Sequence, residues 1–122
     1  MDAIVASAAD DIVYHNIPMD PVIGYGMTDE ERVILSRFFE GRTLTELPSS
    51  RAKRLVVLER LALEFDLGTR YHEFDVNEIL GAFNPDWSML RRHLVDEGFL
   101  DREQGERGNV YWRSGGRVPG VT

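Results

Sequence analysis

Three groups of basic residues carry the chemistry open to this chain of 122 residues. Ser88, Arg91 and Arg92 lie in DWSMLRRHLVDEG, Arg102, Arg107 and Arg113 in FLDREQGERGNVYWR, and Arg51, Lys53 and Arg54 in SRAKRLVVLERL. A guanidinium presents a planar fork of donors that matches guanine O6 and N7, or a pair of phosphate oxygens. The Arg51, Lys53 and Arg54 cluster opens a helical stretch, at the end of the helix dipole where acids rather than cations are stabilising. A cluster placed against its local field suits an anionic partner such as phosphate. Each group also has a plain reading. Asp96 follows Arg92 at the spacing of a surface ion pair, Glu103 and Glu106 stand among the hairpin arginines, and Lys53 and Arg54 fit a solvated face.

Other chemistry finds no support in the residue types. His15, His72 and His93 lack the HExxH spacing, and with no cysteine in the chain the common zinc ligand sets are missing. No phosphate-binding Gly-rich loop and no GxSxG elbow occur. Glu73 and Asp75 of YHEFDVNE fit a helix start better than a catalytic carboxylate pair. Neither catalysis nor a metal or cofactor is expected.

The elements that must position these residues are legible from caps and periodicity. Thr28 with Glu31 three positions on makes a capping box, and Asp29 and Glu30 suit the dipole, so a helix starts there. Val33, Ile34, Arg37 and Phe38 recur at helical spacing up to a stop at Gly41. Leu44 and Leu47 alternate in a short extended link. Ser49 or Ser50 caps a second helix over residues 51–65, with Leu55, Leu58, Leu61, Ala62 and Phe65 inward and Gly68 beyond it. A third helix covers residues 73–83, with Val76, Ile79, Leu80 and Phe83 inward. Asn84-Pro85 is a boundary, Asn as N-cap and Pro at the first helical position, and a fourth helix runs from there to about Glu97 before Gly98. Trp87, Leu90 and Leu94 share its core face; Ser88, Met89, Arg92 and Asp96 point outward, with Arg91, His93 and Val95 flanking. Residues 99–103 and 109–113 are strands around a turn with Gly105 and Gly108. Tyr111 and Trp112 alternate there, one inward and one outward.

This order, helices followed by a hairpin, is the wiring of a winged helix-turn-helix: mainly α with a small β-hairpin, and an N-terminal arm. Residues 1–27 are the arm, 28–117 the domain and 118–122 a tail, the whole stretch from Ser114 being read as a flexible end. In the arm, a short helix near residues 3–11 and an extended piece with Ile12, Val13, Tyr14 and Ile17 could dock on the domain or on a second copy. One domain is what this length implies. No apolar run approaches the roughly 20 residues of a membrane span, and the start of the chain makes a poor secretory signal. A cytoplasmic protein is expected. The net charge is -7, whereas nucleic-acid-binding domains are more often basic. The charge is uneven: residues 1–27 hold four acids and no Lys or Arg, and residues 87–117 hold six Arg against five acids.

The stretch from Leu44 to Arg113 resembles a bacterial family known as domain of unknown function 2087. Its marks are Leu44, Pro48, Lys53-Arg54-Leu55, Leu58, Phe65, Tyr71, Glu73, Val76-Asn77, Leu80 and Phe83. Further on they are Leu90-Arg91-Arg92, Leu94-Val95-Asp96, the run from Gly98 to Arg102, and Tyr111-Trp112-Arg113. The resemblance implies a winged-helix domain of the kind found alone or beside helix-turn-helix transcription regulators. It leaves the arm outside and meets a longer, acidic turn at residues 105–109. Two functions follow as expectations. The first is a regulator that binds duplex DNA through Ser88, Arg91, Arg92, Arg102, Arg107, Arg113, Arg51, Lys53 and Arg54. The second is a protein-interaction or dimerisation module whose acidic surface meets a partner without touching DNA.

Overall fold

The computed structural model describes residues 20–118. The arm's expected helix and its residues Ile12, Val13, Tyr14 and Ile17 lie outside that range. Within it the chain forms four helices and two small antiparallel sheets. In order these are α1 (Asp29–Phe38), β1 (Phe39–Glu40), β2 (Thr43–Leu44), α2 (Arg51–Ala62), β3 (Arg70–His72), α3 (Glu73–Gly81), α4 (Trp87–Asp96), β4 (Leu100–Gly105) and β5 (Gly108–Arg113). Among the described residues no helix is long and apolar enough to cross a membrane.

The helix starts follow their capping residues. Thr28 Oγ1 accepts from the Glu31 amide at 3.2 Å and Glu31 Oε1 accepts from the Thr28 amide at 2.9 Å, the reciprocal capping box that the sequence signals. Ser50 caps α2 by accepting from the Lys53 amide. The fourth helix differs at its start. Asp86, not Asn84, is the N-cap, taking the Met89 amide at 3.3 Å. Asn84 is drawn away: its Nδ2 donates to the Leu44 carbonyl at 2.7 Å and its Oδ1 accepts from the Asp86 amide. It therefore ties the β2 segment to the α3–α4 turn.

Two helix ends also depart from the periodic reading. Residues 63–65 continue α2 only as a tighter turn, each amide bonding the carbonyl three residues back. Gly41 does not stop α1 directly; α1 ends at Phe38 and the chain enters the β1–β2 hairpin, where Gly41 turns at φ 62°. A left-handed step of this kind is open to glycine at little steric cost. On α1 the buried residue is Leu35, with Val33, Ile34 and Phe38 only half-buried.

The expected hairpin is present and forms part of a three-stranded sheet of order β3-β5-β4. Tyr71 pairs with Tyr111, and Arg102 pairs with Tyr111 from the other side. Gly108, at φ 103°, lets the chain rejoin the ladder after Glu106 and Arg107. The core lies where α2, α3, α4 and this sheet meet. Leu58, Leu61, Phe65, Val76, Leu80, Leu90, Leu94, Leu100 and Tyr111 are buried together. Of the two neighbouring aromatics, Tyr111 is therefore the inward one and Trp112 the more exposed.

The N-terminal end of the described chain fastens to α2, and its C-terminal end to α1 and α2. Ile23 is fully buried, and the guanidinium of Arg60, itself buried, donates to the carbonyls of Val22 and Ile23. Arg117 forks onto Glu31 with two 2.7 Å bonds and reaches Glu59 at 3.1 Å. The stretch from Ser114 to Arg117, expected to be a free end, is thus anchored. A bidentate guanidinium–carboxylate pair with a second carboxylate is a strong tether for so short a segment.

Candidate interaction surface

The nine basic and hydroxyl residues singled out by the sequence do not form one surface. Arg113 is the clearest departure. It is only 7 % exposed, and its Nε donates to the Gly115 carbonyl at 3.0 Å while Nη1 donates to Phe65 at 3.2 Å and Ala62 at 3.5 Å. Nη2 donates to the Arg117 carbonyl. Burial lowers the pKa of this guanidinium, with Glu59 and Asp66 opposing the shift. The side chain alternates inward on β5 with Tyr111, and it satisfies carbonyls at the end of α2. Its donors are thus taken up by backbone carbonyls within the domain.

Arg91 is also turned inward. It donates to Asn77 Oδ1 on α3, lies 3.7 Å from Glu73, and its guanidinium carbon is 5.6 Å from the Trp87 ring centroid and 6.0 Å from that of Tyr111. Glu73 in turn accepts from Tyr111 Oη at 2.9 Å and from Asn109 Nδ2 at 3.4 Å. This network joins α3, α4 and β5. Arg54 donates to the Ser49 and Pro48 carbonyls, wrapping the start of α2. Arg51 is exposed and pairs with Glu97 at 2.8 Å; that hydrogen bond outweighs desolvation and holds the Glu97 carboxyl below the ordinary carboxylate range. Lys53 is half-buried. Ser88 is half-buried beside Asp86, 3.5 Å away. Arg92, Arg102 and Arg107 remain exposed, the last two beside exposed Asp101, Glu103 and Glu106.

A different surface comes forward at the corner between α3 and α4. Trp87, expected in the core with Leu90 and Leu94, is 36 % exposed, while those two leucines are buried. Phe74 is 67 % exposed. With Asn77, Glu78, Gly81, Ala82 and Pro85 they line an open groove of about 930 Å³. Gly81 makes this possible: a Cβ there would come within 3.3 Å of Trp87 Cδ1, so its absence lets the indole lie against the end of α3. The rim is acidic. Residues 73–90 hold four acids, Glu73, Asp75, Glu78 and Asp86, and no Lys or Arg; Asp75, Glu78 and Asp86 are exposed.

The sequence carried a signal for this groove that the basic residues obscured. Phe74 lies about 200° around the helix from Val76, outside the apolar stripe, where an aromatic has no core to enter. Trp87 gave no such signal, because its spacing from Leu90 and Leu94 is that of one helical face. Among the described residues no cluster of His, Asp or Glu could hold a metal ion.

Residues 43–113 match a family described as an uncharacterized protein conserved in bacteria, domain of unknown function 2087. The match covers more than half of the chain, and the chain belongs to that family. No curated protein and no solved structure matches it.

Proposed function

We propose that the chain carries a winged helix-turn-helix domain that serves as a protein-interaction module, with the α3–α4 groove as its docking surface. The fold reading is supported by the succession α2–β3–α3–α4–β4–β5 and by the sheet order β3-β5-β4, with the β4–β5 hairpin in the place of a wing. This scaffold serves both DNA readers and protein-docking units, so its use has to be argued from the surface. The observation that carries the docking reading is the exposed pair Phe74 and Trp87 beside small Gly81 and Ala82. Large aromatics left exposed in a concave setting are the usual anchors of polypeptide interfaces. The reading is non-catalytic, and it places the protein in the bacterial cytoplasm.

Selection of a random displayed peptide library on the whole chain tests it. Binders are expected whose affinity drops by about tenfold or more on Phe74→Ala, the loss typical of an aromatic anchor. Phe74 is exposed enough for the variant to stay folded. Binders indifferent to Phe74→Ala, or no binders, would count against the groove.

A second reading, a transcription-regulator-like protein on duplex DNA, rests on the wiring itself and on Arg92, Arg102 and Arg107, which stay exposed on α4 and the hairpin. Their field is opposed by Asp96, Asp101, Glu103 and Glu106 nearby in sequence. Since phosphate neutralisation supplies much of the affinity for DNA, this reading is the weaker of the two.

A further inference from the structure

We infer that the occupant of the α3–α4 groove is a basic amphipathic helical segment of another protein, seating apolar side chains on Phe74 and Trp87 and setting Lys or Arg against Asp75, Glu78 and Asp86. The inference rests on the docking reading above and adds to it the chemistry of the partner.

Charge complementarity selects the partner's sign. The stretch that builds the groove has acids and no cations of its own. Arg91, 5.6 Å from the Trp87 ring, is paired with Glu73, which leaves Asp75, Glu78 and Asp86 as the exposed charges. Opposite charges across such a rim steer encounter and reject partners of the wrong sign. The same argument disfavours a second copy. A two-fold contact is self-complementary, each patch meeting its own duplicate, and would bring the acidic rims of two molecules of net charge -7 together.

The shape of the groove selects the partner's conformation. Its walls are the outer side of α3 and the first residue of α4, and the lining residues include none from a strand. An extended peptide would find no free sheet edge to pair with there, whereas an amphipathic helix needs only an apolar trough for its anchors. Ala82 and Pro85 in the lining add no long side chain that would block a helix laid across it. A small molecule would stay largely in solvent in so open a site, unlike the ligands of enclosed pockets.

The test uses two designed amphipathic peptides that share one Leu/Phe stripe, one with Lys flanks and its twin with Glu in their place. Fluorescence polarisation at near-physiological salt reads their binding to the whole chain. The Lys peptide is expected to bind at least about tenfold more tightly than its twin. Phe74→Ala should weaken the Lys peptide, and the double variant Asp75→Lys with Glu78→Lys, both at exposed positions, should reverse the preference. Equal binding of the twins, failure of both to bind, or no reversal overturns the basic partner; Phe74-dependent binders from the library would then leave the docking reading standing. Binding that ignores Phe74→Ala overturns both. A dimer in sedimentation that Phe74→Ala dissociates would make a second copy the occupant and also overturn the inference.

Discussion

Replacing Arg113 by alanine should unfold the domain more readily without touching any binding function. The guanidinium spans the end of α2 and the C-terminal segment, donating to Ala62, Phe65, Gly115 and Arg117 carbonyls. After truncation the Gly115 and Arg117 carbonyls, on a partly exposed segment, can turn to water. The Ala62 carbonyl keeps the Phe65 amide at 3.0 Å, but the Phe65 carbonyl faces a buried donor and is left without one. A buried polar group left without its partner costs about 1–3 kcal/mol, so a loss of about 1–3 kcal/mol is expected. Against a typical total stability of about 5–15 kcal/mol, that is a large share. Urea unfolding followed by circular dichroism and tryptophan fluorescence measures it, with Arg102→Ala as the exposed control expected within about 0.5 kcal/mol. Arg113→Lys should recover only part of the loss, because one ammonium cannot reach carbonyls arranged for a fork. Equal midpoints for Arg113→Ala and Arg102→Ala would refute the structural assignment.

Two further outcomes are expected. Burial alone would raise the Glu31 carboxyl, but the Arg117 fork and the Thr28 amide outweigh it and hold the carboxyl below 4.5. A depressed acid contributes stability above its unfolded pKa and loses it as pH falls through the folded one. Thermal unfolding of the wild type should therefore decline more between about pH 5.5 and 3 than that of Arg117→Met; parallel declines would mean that the fork adds nothing. For the DNA reading, the triple variant Arg92→Ala, Arg102→Ala, Arg107→Ala is expected to retard random duplex no differently from the wild type, even at low salt. A wild-type affinity whose log–log salt slope flattens by about 0.9 per lost contact in the variant would instead move DNA to the front.

What the sequence made legible was local. The Thr28–Glu31 box, the Ser50 cap, the start of α3 at Glu73 and the β4–β5 hairpin depend on neighbours within a few residues, and all appear. What escaped depends on distant partners. The strand Arg70–His72 is three residues long and exists because β5, some forty residues on, supplies its ladder. Asn84 is a good cap by type, yet the Leu44 carbonyl claims its side chain. Arginine is the least legible residue, since burial depends on carbonyls gathered from several elements. Arg113 and Arg54 looked like ligands for an anion and proved to be ligands for the backbone. The acidic balance of the chain was legible from the start.

The anchoring of both ends of the described chain on α1 and α2 separates the stretch that the family shares from the unit that can fold. The family match begins at residue 43 and ends at 113, yet Ile23, Leu35 and Phe39 lie before it and are part of the core. A fragment cut at the family's borders would open a face of α2 to water. It would also strand the Arg60 guanidinium, 2 % exposed, without the Val22 and Ile23 carbonyls that now receive it. Arg113 would lose the Gly115 and Arg117 acceptors at the same cut. The autonomous piece therefore reaches at least from Asp20 to Arg117, well beyond both borders of the shared stretch.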